Sequence, residues 1–537
     1  MITILVSWLL LILMFSIPGI VIKEQFKLSN NKAFILFYGI IFQTVFTGVF
    51  AFFHAINEIY FIVNSFLILI LSYFYRNRIK DFFISFFKEF SNKTKFLFLF
   101  YVIIIALKSA QSPSIFDNET YYIQTIKWLN EFGFVKGLSN IHPFLAQCSF
   151  WHVLQSGCNF SFITSALNDI NGLLLLIGIY YFVEKSNQNS NLFISINSLF
   201  LIIYFQFIDA PSPDLPILVF LSILFYEFTF EKLNNAKIKT LLLFIVYLLF
   251  IKLTTLPFLL LAIYLVIKDK KTISFFFLIC LGFGILWILK NSIITGYPLF
   301  PLSIFDWNLD WKLPVESMDY MYKNIINLGY ADQATLGKDY SIFEKLNYWF
   351  QLKGINRIFN LGIIFLLLLT PFTKFYKTTS NFKTLYIILV IHFTFLLLNS
   401  PQYRFFLPTF ILLGSVLIYE IHRIFSNQIA NFLLVFSGIL LIFSLFMDIK
   451  EPSKSTLFNY SQIVQPESNS KYNTVNFQEI EIGNLKINSP FLPNLYETAN
   501  GNLPCVNQKL LDFYSFYPQL RTSSMEDGFY SKKIKDE

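Results

Sequence analysis

Fourteen apolar runs separated by polar connections organise the chain. They cover residues 2–22, 33–53, 58–75, 96–108, 163–183, 192–208, 213–230, 238–251, 254–267, 272–293, 356–372, 384–399, 405–420 and 430–448. A helix needs about 20 apolar residues to cross a hydrocarbon core roughly 30 Å thick. The pattern therefore predicts an all-α integral membrane protein with about fourteen transmembrane helices. Runs 96–108, 238–251 and 254–267 are short for that thickness, and 238–267 also reads as one broken or re-entrant element. Three long connections remain: 109–162, 294–355 and the tail 449–537. Within the first, Asn118 to Glu131 has helical periodicity, with Tyr122, Ile126 and Leu129 on one stripe. That predicts amphipathic helix lying along the membrane surface. The tail mixes Pro, Asn and Ser with short apolar stretches such as Leu457–Val464, and lacks the charge blocks of a disordered tail. It reads as a small, partly ordered extension packing on the long loops. Three regions follow: N-terminal helices 1–95, a core 96–448, and the extension 449–537.

Charge gives the orientation. Lys and Arg near span ends favour the cytoplasm. With the N-terminus outside, the inner loops collect 20 basic residues, among them Arg76, Arg78, Lys80, Lys232, Lys237 and Lys270. The short loops on the other side hold Lys252 and Arg404. The three long segments then fall outside. The first run has no Lys or Arg before it and is longer than a signal-peptide core, so it reads as a span.

Composition agrees. Hydrophobic residues make up 55% of the chain and charged residues 14%, against about 25% charge in a soluble domain. The net charge of +8 does not point to nucleic acid, because the cations are scattered in loops rather than gathered on one face. Heavy use of Phe, Ile, Asn and Lys reads as the coding bias of an AT-rich, bacterial genome. Cys148, Cys158, Cys280 and Cys505 have no metal-ligand spacing. They read as free thiols, with a Cys148–Cys158 pair as the alternative.

Few polar residues stand out, and those that do lie on the outer side. Asp117 and Glu119 open the helix of the first long loop, where they would cap it or complement its dipole, or supply a general base. Asp214 follows Pro213 at the start of a span, in Asp209-Ala-Pro-Ser-Pro-Asp214, with the same two readings. Lys252 and Arg404 either snorkel to the interface or capture a phosphate; Lys290 and Asn291 are weaker candidates of the same kind. His142 and His152 flank Cys148 at no recognisable metal spacing.

The Asp-x-x-x-Tyr of Asp117 and Tyr121, at the head of a long first outer loop with a surface helix, resembles the GT-C superfamily of polyprenyl-phosphate-sugar glycosyltransferases. The segment Ile126-Lys-Trp128-Leu, Gly133, Gly137-Leu-Ser-Asn140-Ile-His142 also resembles a family of bacterial membrane proteins with the same topology. The resemblance covers roughly residues 95–420. It implies a GT-C-like core at the plasma membrane, with Asp117 as catalytic base and an inverting transfer outside the cell. It further implies catalytic acids at Glu119 and Asp214, and Arg404 with Lys252 on the lipid phosphate. Tyr121, Asn140 and His142 would meet substrate. Where the superfamily often places a second acid directly after the first, this chain has Asn118, and the acid is displaced to Glu119. The implied partners are a polyprenyl-phosphate sugar, a glycan, lipid or protein acceptor, and membrane lipids. No cofactor is fixed; a divalent metal at Glu119 and Asp214 is compatible with the spacing without being demanded by it. A transporter or flippase is the rival reading, followed by a lipid-linked glycan polymerase or ligase and a non-enzymatic scaffold. Convergence of Asp117, Glu119, Asp214, Lys252 and Arg404 on one cavity would discriminate.

Overall fold

A computed structural model of the chain describes residues 1–88, 90–188, 199–331, 340–422, 428–446, 459–472, 474–514 and 516–533. The fold is mostly helical. Among the described residues, seven helices are long and apolar enough to cross a membrane: Ile2–Phe26, Lys32–Ala51, Glu58–Ser85, Lys270–Thr295, Gly354–Phe372, Ser380–Asn399 and Tyr403–Ile421. The other apolar runs are shorter or carry polar ends. Helices Asn92–Ser109, Ile170–Gln188, Asp214–Phe230, Asn235–Ile251 and Gln428–Phe443 have 16 to 19 residues. Run 254–267 starts as a 3-10 turn, Leu253–Phe258, containing Pro257, which removes a helical donor and leaves a ten-residue helix, Leu259–Lys268. Residues 192–198 of run 192–208 lie outside the described residues; the remainder holds the short helix Leu201–Phe205.

Burial separates two kinds of helix. In Glu58–Ser85, Ile62, Phe66 and Leu69 are each about two-thirds exposed, and Phe277 of Ile273–Thr295 is equally bare. Rows of exposed apolar side chains of this length suit lipid rather than water. Helix Glu58–Ser85 bends at Tyr75, where the apolar run stops and Arg76 begins the polar stretch. Asp214–Phe230 and Asn235–Ile251 are apolar on nearly every side and almost wholly buried, as expected of helices at the centre of a bundle. The first two helices pack backbone to backbone. A Cβ at Gly39 would lie 1.8 Å from the Phe15 carbonyl oxygen, and one at Gly19 would lie 1.9 Å from that of Ile35. Small residues permit that approach.

Two polar layers bracket the bundle core. In one, Lys237 Nζ lies 3.0 Å from Glu227 and 2.8 Å from Glu231, Lys185 pairs with both acids, and Tyr181 donates to Glu227. At the other ends of the same helices, Asn171 donates to the carbonyls of Phe207 and Ser212, and Lys252 bonds Asp214. Asp214 and Glu227 are thirteen positions apart on one helix, roughly 20 Å at 1.5 Å per residue.

The tail is not all helix. Phe477–Ile482 pairs antiparallel with Leu485–Pro490, and Phe516–Leu520 with Phe529–Lys533. Ile480, Ile482, Leu485 and Ile487 alternate with polar residues around a turn at Gly483, where φ is +58°. That alternation favours a hairpin, and it corrects the all-α expectation for this region. The extension lies on the 109–162 segment: Glu467 bonds Ala110, Thr498 and Ala499 bond the Glu119 carbonyl, and Phe529 bonds that of Lys136.

Candidate functional site

Asp117 precedes a single π-helical turn, Asn118–Tyr122, that runs into helix Ile123–Phe132. Such turns recur at functional sites. The Asp117 carboxylate makes no cap bond to the helix it starts. Its Oδ2 accepts instead from Arg404 Nη1 at 2.6 Å and from the Tyr122 hydroxyl at 3.4 Å. The same Arg404 nitrogen lies 3.8 Å from Asp214 Oδ2, and Lys252 Nζ donates to Asp214 Oδ1. Four of the five residues named for one cavity thus form a single network of two carboxylates and two cations. Phe405 lies beneath both cations, its ring centre 4.1 Å from Lys252 Nζ and 5.1 Å from the Arg404 guanidinium carbon. Gln402 accepts from Arg404 Nε at 2.8 Å.

Local backbone explains the convergence. Lys252 ends helix Asn235–Ile251 in an extended conformation (φ −154°, ψ 125°), and its side chain reaches the first turn of Asp214–Phe230. Asp214 is the first residue of that helix, after Pro213 at the cap position. Arg404 sits in the first turn of Tyr403–His422, the positive end of the helix dipole, where a cation is disfavoured unless an anion compensates. Asp214 is 2% exposed, whereas the side chains of Asp117, Lys252 and Arg404 are 17%, 23% and 22% exposed. The network is thus closed by Asp214 and open at the other three. Asp214 Oδ2 has no hydrogen-bond donor among the described residues. Chemically, the arrangement offers a carboxylate able to take a proton beside two cations able to hold an anion.

Glu119 does not join it. Its Oε1 accepts from the Lys471 N–H and from Asn118, and its Oε2 from the Ser470 hydroxyl. Burial raises the Glu119 carboxyl above its usual range, and those three bonds offset part of the rise. Helical geometry turns the side chain two positions after Asp117 toward the tail. With Glu119 so satisfied, it offers no metal ligand beside Asp214, and no three His, Cys, Asp or Glu side chains converge among the described residues.

Asn140 and His142 also belong to the seam with the tail. Asn140 Nδ2 donates to the carbonyls of Gly137 and Trp311, and its Oδ1 accepts from the Ser531 hydroxyl. His142 Nδ1 accepts from the Phe144 N–H, and Nε2 lies 3.2 Å from the Tyr496 carbonyl. Burial lowers the His142 imidazole to about 4, so it is neutral near pH 7. Tyr121 stays close to the network; its hydroxyl donates to Gln147 at 3.4 Å and its ring packs edge-on against Tyr122.

Sequence reasoning missed Tyr122, Gln402 and Phe405. The Gln-Tyr-Arg-Phe string around Arg404 carried the signal, since an aromatic beside a lone cation invites a cation–π contact. Asp209, five positions before Asp214, pairs with the buried Lys108 at 3.4 Å and accepts from Ser114. Lys290 donates to the Cys148 carbonyl at 2.6 Å. All four cysteines are free. His152 closes a capping box with Ser149; burial lowers its imidazole to about 3.

A family model described as Domain of unknown function (DUF8201) matches residues 1–411, a stretch that holds the whole network and stops before the tail. No curated protein and no solved structure matches the chain.

Proposed function

We propose that this chain, which belongs to the DUF8201 family, transfers a sugar from a polyprenyl-phosphate donor to an acceptor at the extracytoplasmic face of the plasma membrane. The observation that carries the reading is the Asp117–Arg404–Asp214–Lys252 network, with its proton acceptor and its paired cations at one end of the bundle. Its orientation rests on the basic loops, which cluster on the opposite side.

In this mechanism the donor phosphate exchanges with Asp117 on Arg404 and gains Lys252 as a second cation. Asp117, released from Arg404, accepts the proton of an acceptor hydroxyl. The hydroxyl oxygen attacks the anomeric carbon, the bond from that carbon to the phosphate oxygen breaks, and the lipid phosphate leaves with the electron pair. Arg404 and Lys252 stabilise its developing charge. A single displacement inverts the anomeric centre. Asp214 stays beneath the cations and holds them in place between turnovers.

Purified protein given a panel of polyprenyl-phosphate sugars should release lipid phosphate, and Asp117→Asn should cut that release about 10²- to 10⁴-fold, the usual worth of a general base. Normal turnover by the mutant sinks the assignment. A carrier for lipid-linked glycans also accommodates buried ion pairs. The position of the network at the helix ends, roughly 20 Å from the second polar layer, favours surface chemistry. Translocation of labelled donor in proteoliposomes without lipid-phosphate release would decide for the carrier.

A further inference from the structure

A cavity of about 260 Å³ lies between helix Ile123–Phe132, the 159–168 segment and Asn469 of the tail. The reaction outlined above does not use it. Its floor is apolar, with Ile123 and Ile126 buried beneath it, and Phe162 stands 43% exposed at its edge. Several polar groups in its wall are already engaged. Lys127 Nζ donates to the carbonyls of Asn500 and Gly501, both at 3.0 Å, and Asn130 bonds the carbonyls of Ile56 and Ser156.

Five other polar side chains of the wall, Glu58, Glu131, Ser161, Ser165 and Asn168, have no hydrogen-bond or ion-pair partner within the protein among the described residues. Glu58, Glu131 and Ser165 are exposed, so the cavity opens to solvent. Burial raises the Glu131 carboxyl above its usual range, and Lys127 offsets part of this. The free groups are mainly acceptors. Two carboxylates repel an anion, while an apolar floor beside hydroxyl-seeking acceptors suits a sugar ring, which has a C–H face and a rim of hydroxyl donors. The cavity is on the order of a single ring in size, below the roughly 300 Å³ at which drug-sized pockets begin.

We infer that this cavity binds a neutral saccharide through Glu131, Asn168 and Ser165. Its role as the seat of a distal ring of the acceptor rests on the glycosyl-transfer reading; the binding does not. Ile123 is six positions from Asp117 and Glu131 fourteen, placing the cavity roughly 9 to 21 Å along the helix from the proposed base. A ring held there would be one or more residues removed from the reacting hydroxyl.

The test is saturation-transfer NMR on the detergent-purified full chain, with maltose, lactose and chitobiose, and with spermidine and glucose 1-phosphate as charged probes. At least one neutral disaccharide should bind. Its affinity should fall about tenfold in Asn168→Ala, the scale of one lost hydrogen bond, vanish in the cavity-filling Ser165→Trp, and persist in Arg404→Ala. Binding of spermidine alone, binding of no neutral sugar, or unchanged binding in Ser165→Trp overturns the inference. Lipid-phosphate release without saccharide binding overturns only the cavity assignment. Saccharide binding without lipid-phosphate release overturns only the transfer reading.

Discussion

Under the proposed transfer, replacing Asp117 with Asn should make the protein bind an anionic donor more tightly while turning it over more slowly. In the resting network, Arg404 is engaged by Asp117 at 2.6 Å, and a donor phosphate has to displace that carboxylate. A charge-assisted hydrogen bond contributes about 1.5–3 kcal/mol. Both partners here are partly exposed, 22% and 17%, so the lower end applies. A loss of about 1.5 kcal/mol of competition corresponds to roughly tenfold tighter binding. The amide keeps the shape of the carboxylate but cannot accept the acceptor's proton, so kcat should fall about 10²- to 10⁴-fold. Equilibrium binding of radiolabelled polyprenyl-phosphate sugar gives Kd directly, and single-turnover release of lipid phosphate gives the chemical step. Opposite movements of the two quantities are the signature. Weaker donor binding in Asp117→Asn would place Asp117 among groups that attract the donor, and the proposed exchange on Arg404 would be wrong.

The other predictions concern stability and titration. Lys252→Met should destabilise the detergent-solubilised protein by about 2–3 kcal/mol, below the full cost of orphaning a buried charge because Arg404 stays within 3.8 Å of Asp214; thermal unfolding should show partial recovery when Asp214→Asn is added. His142 is lowered from 6.5 to about 4, so the unfolded chain holds the proton between those values. Stability should therefore fall as pH drops from about 6.5 to about 4, by roughly 3 kcal/mol for this residue alone at 1.36 kcal/mol per unit, and His142→Gln should flatten the denaturation profile across that window. The Glu119 carboxyl moves the other way. The folded chain holds its proton more tightly, so stability should fall as pH rises from about 4.5 through the raised value, and Glu119→Gln should remove that slope. Gly39→Ala should lower the unfolding temperature markedly, since overpacking costs about 1–3 kcal/mol even without a backbone clash; an unchanged melting curve would refute the close helix contact.

Much of the helical layout was legible because the bilayer enforces it. Long apolar runs have few ways to satisfy their backbone other than as helices, and the run ending at Tyr75 stops where its helix bends. Run length alone did not give the count of long helices. Pro257 and the extended backbone at Lys252 cut the 238–267 stretch into unequal pieces, and helices such as Asp214–Phe230 sit inside the bundle. The hairpin at Ile480-Glu-Ile-Gly-Asn-Leu-Lys-Ile487 was equally legible by its alternation about Gly-Asn, but is easily overlooked in a chain read for helical spans.

The site was legible in part for a different reason. Ionisable residues are scarce at the helix ends opposite the basic loops, so each one there carries information that a charge on a soluble surface does not. That scarcity picked out Asp117, Asp214, Lys252 and Arg404. It could not separate Asp117 from Glu119, which lie two positions apart and on different sides of the helical turn: one meets Arg404, the other the tail. Nor could it assign Asn140 and His142, whose partners Ser531 and Tyr496 are more than 350 positions away. The helix dipole adds what spacing lacks. Asp117 and Asp214 both stand at helix starts, where a carboxylate is already favoured, yet neither caps its helix. Arg404 stands at a helix start, where it is not favoured. A chain selected only for stable helix ends would have kept Asp117 as a cap and moved the cation away. Turning both acids onto Arg404 and Lys252 gives up a cap at Asp117 and holds a pair of cations at one end of the bundle, the arrangement that the proposed transfer needs.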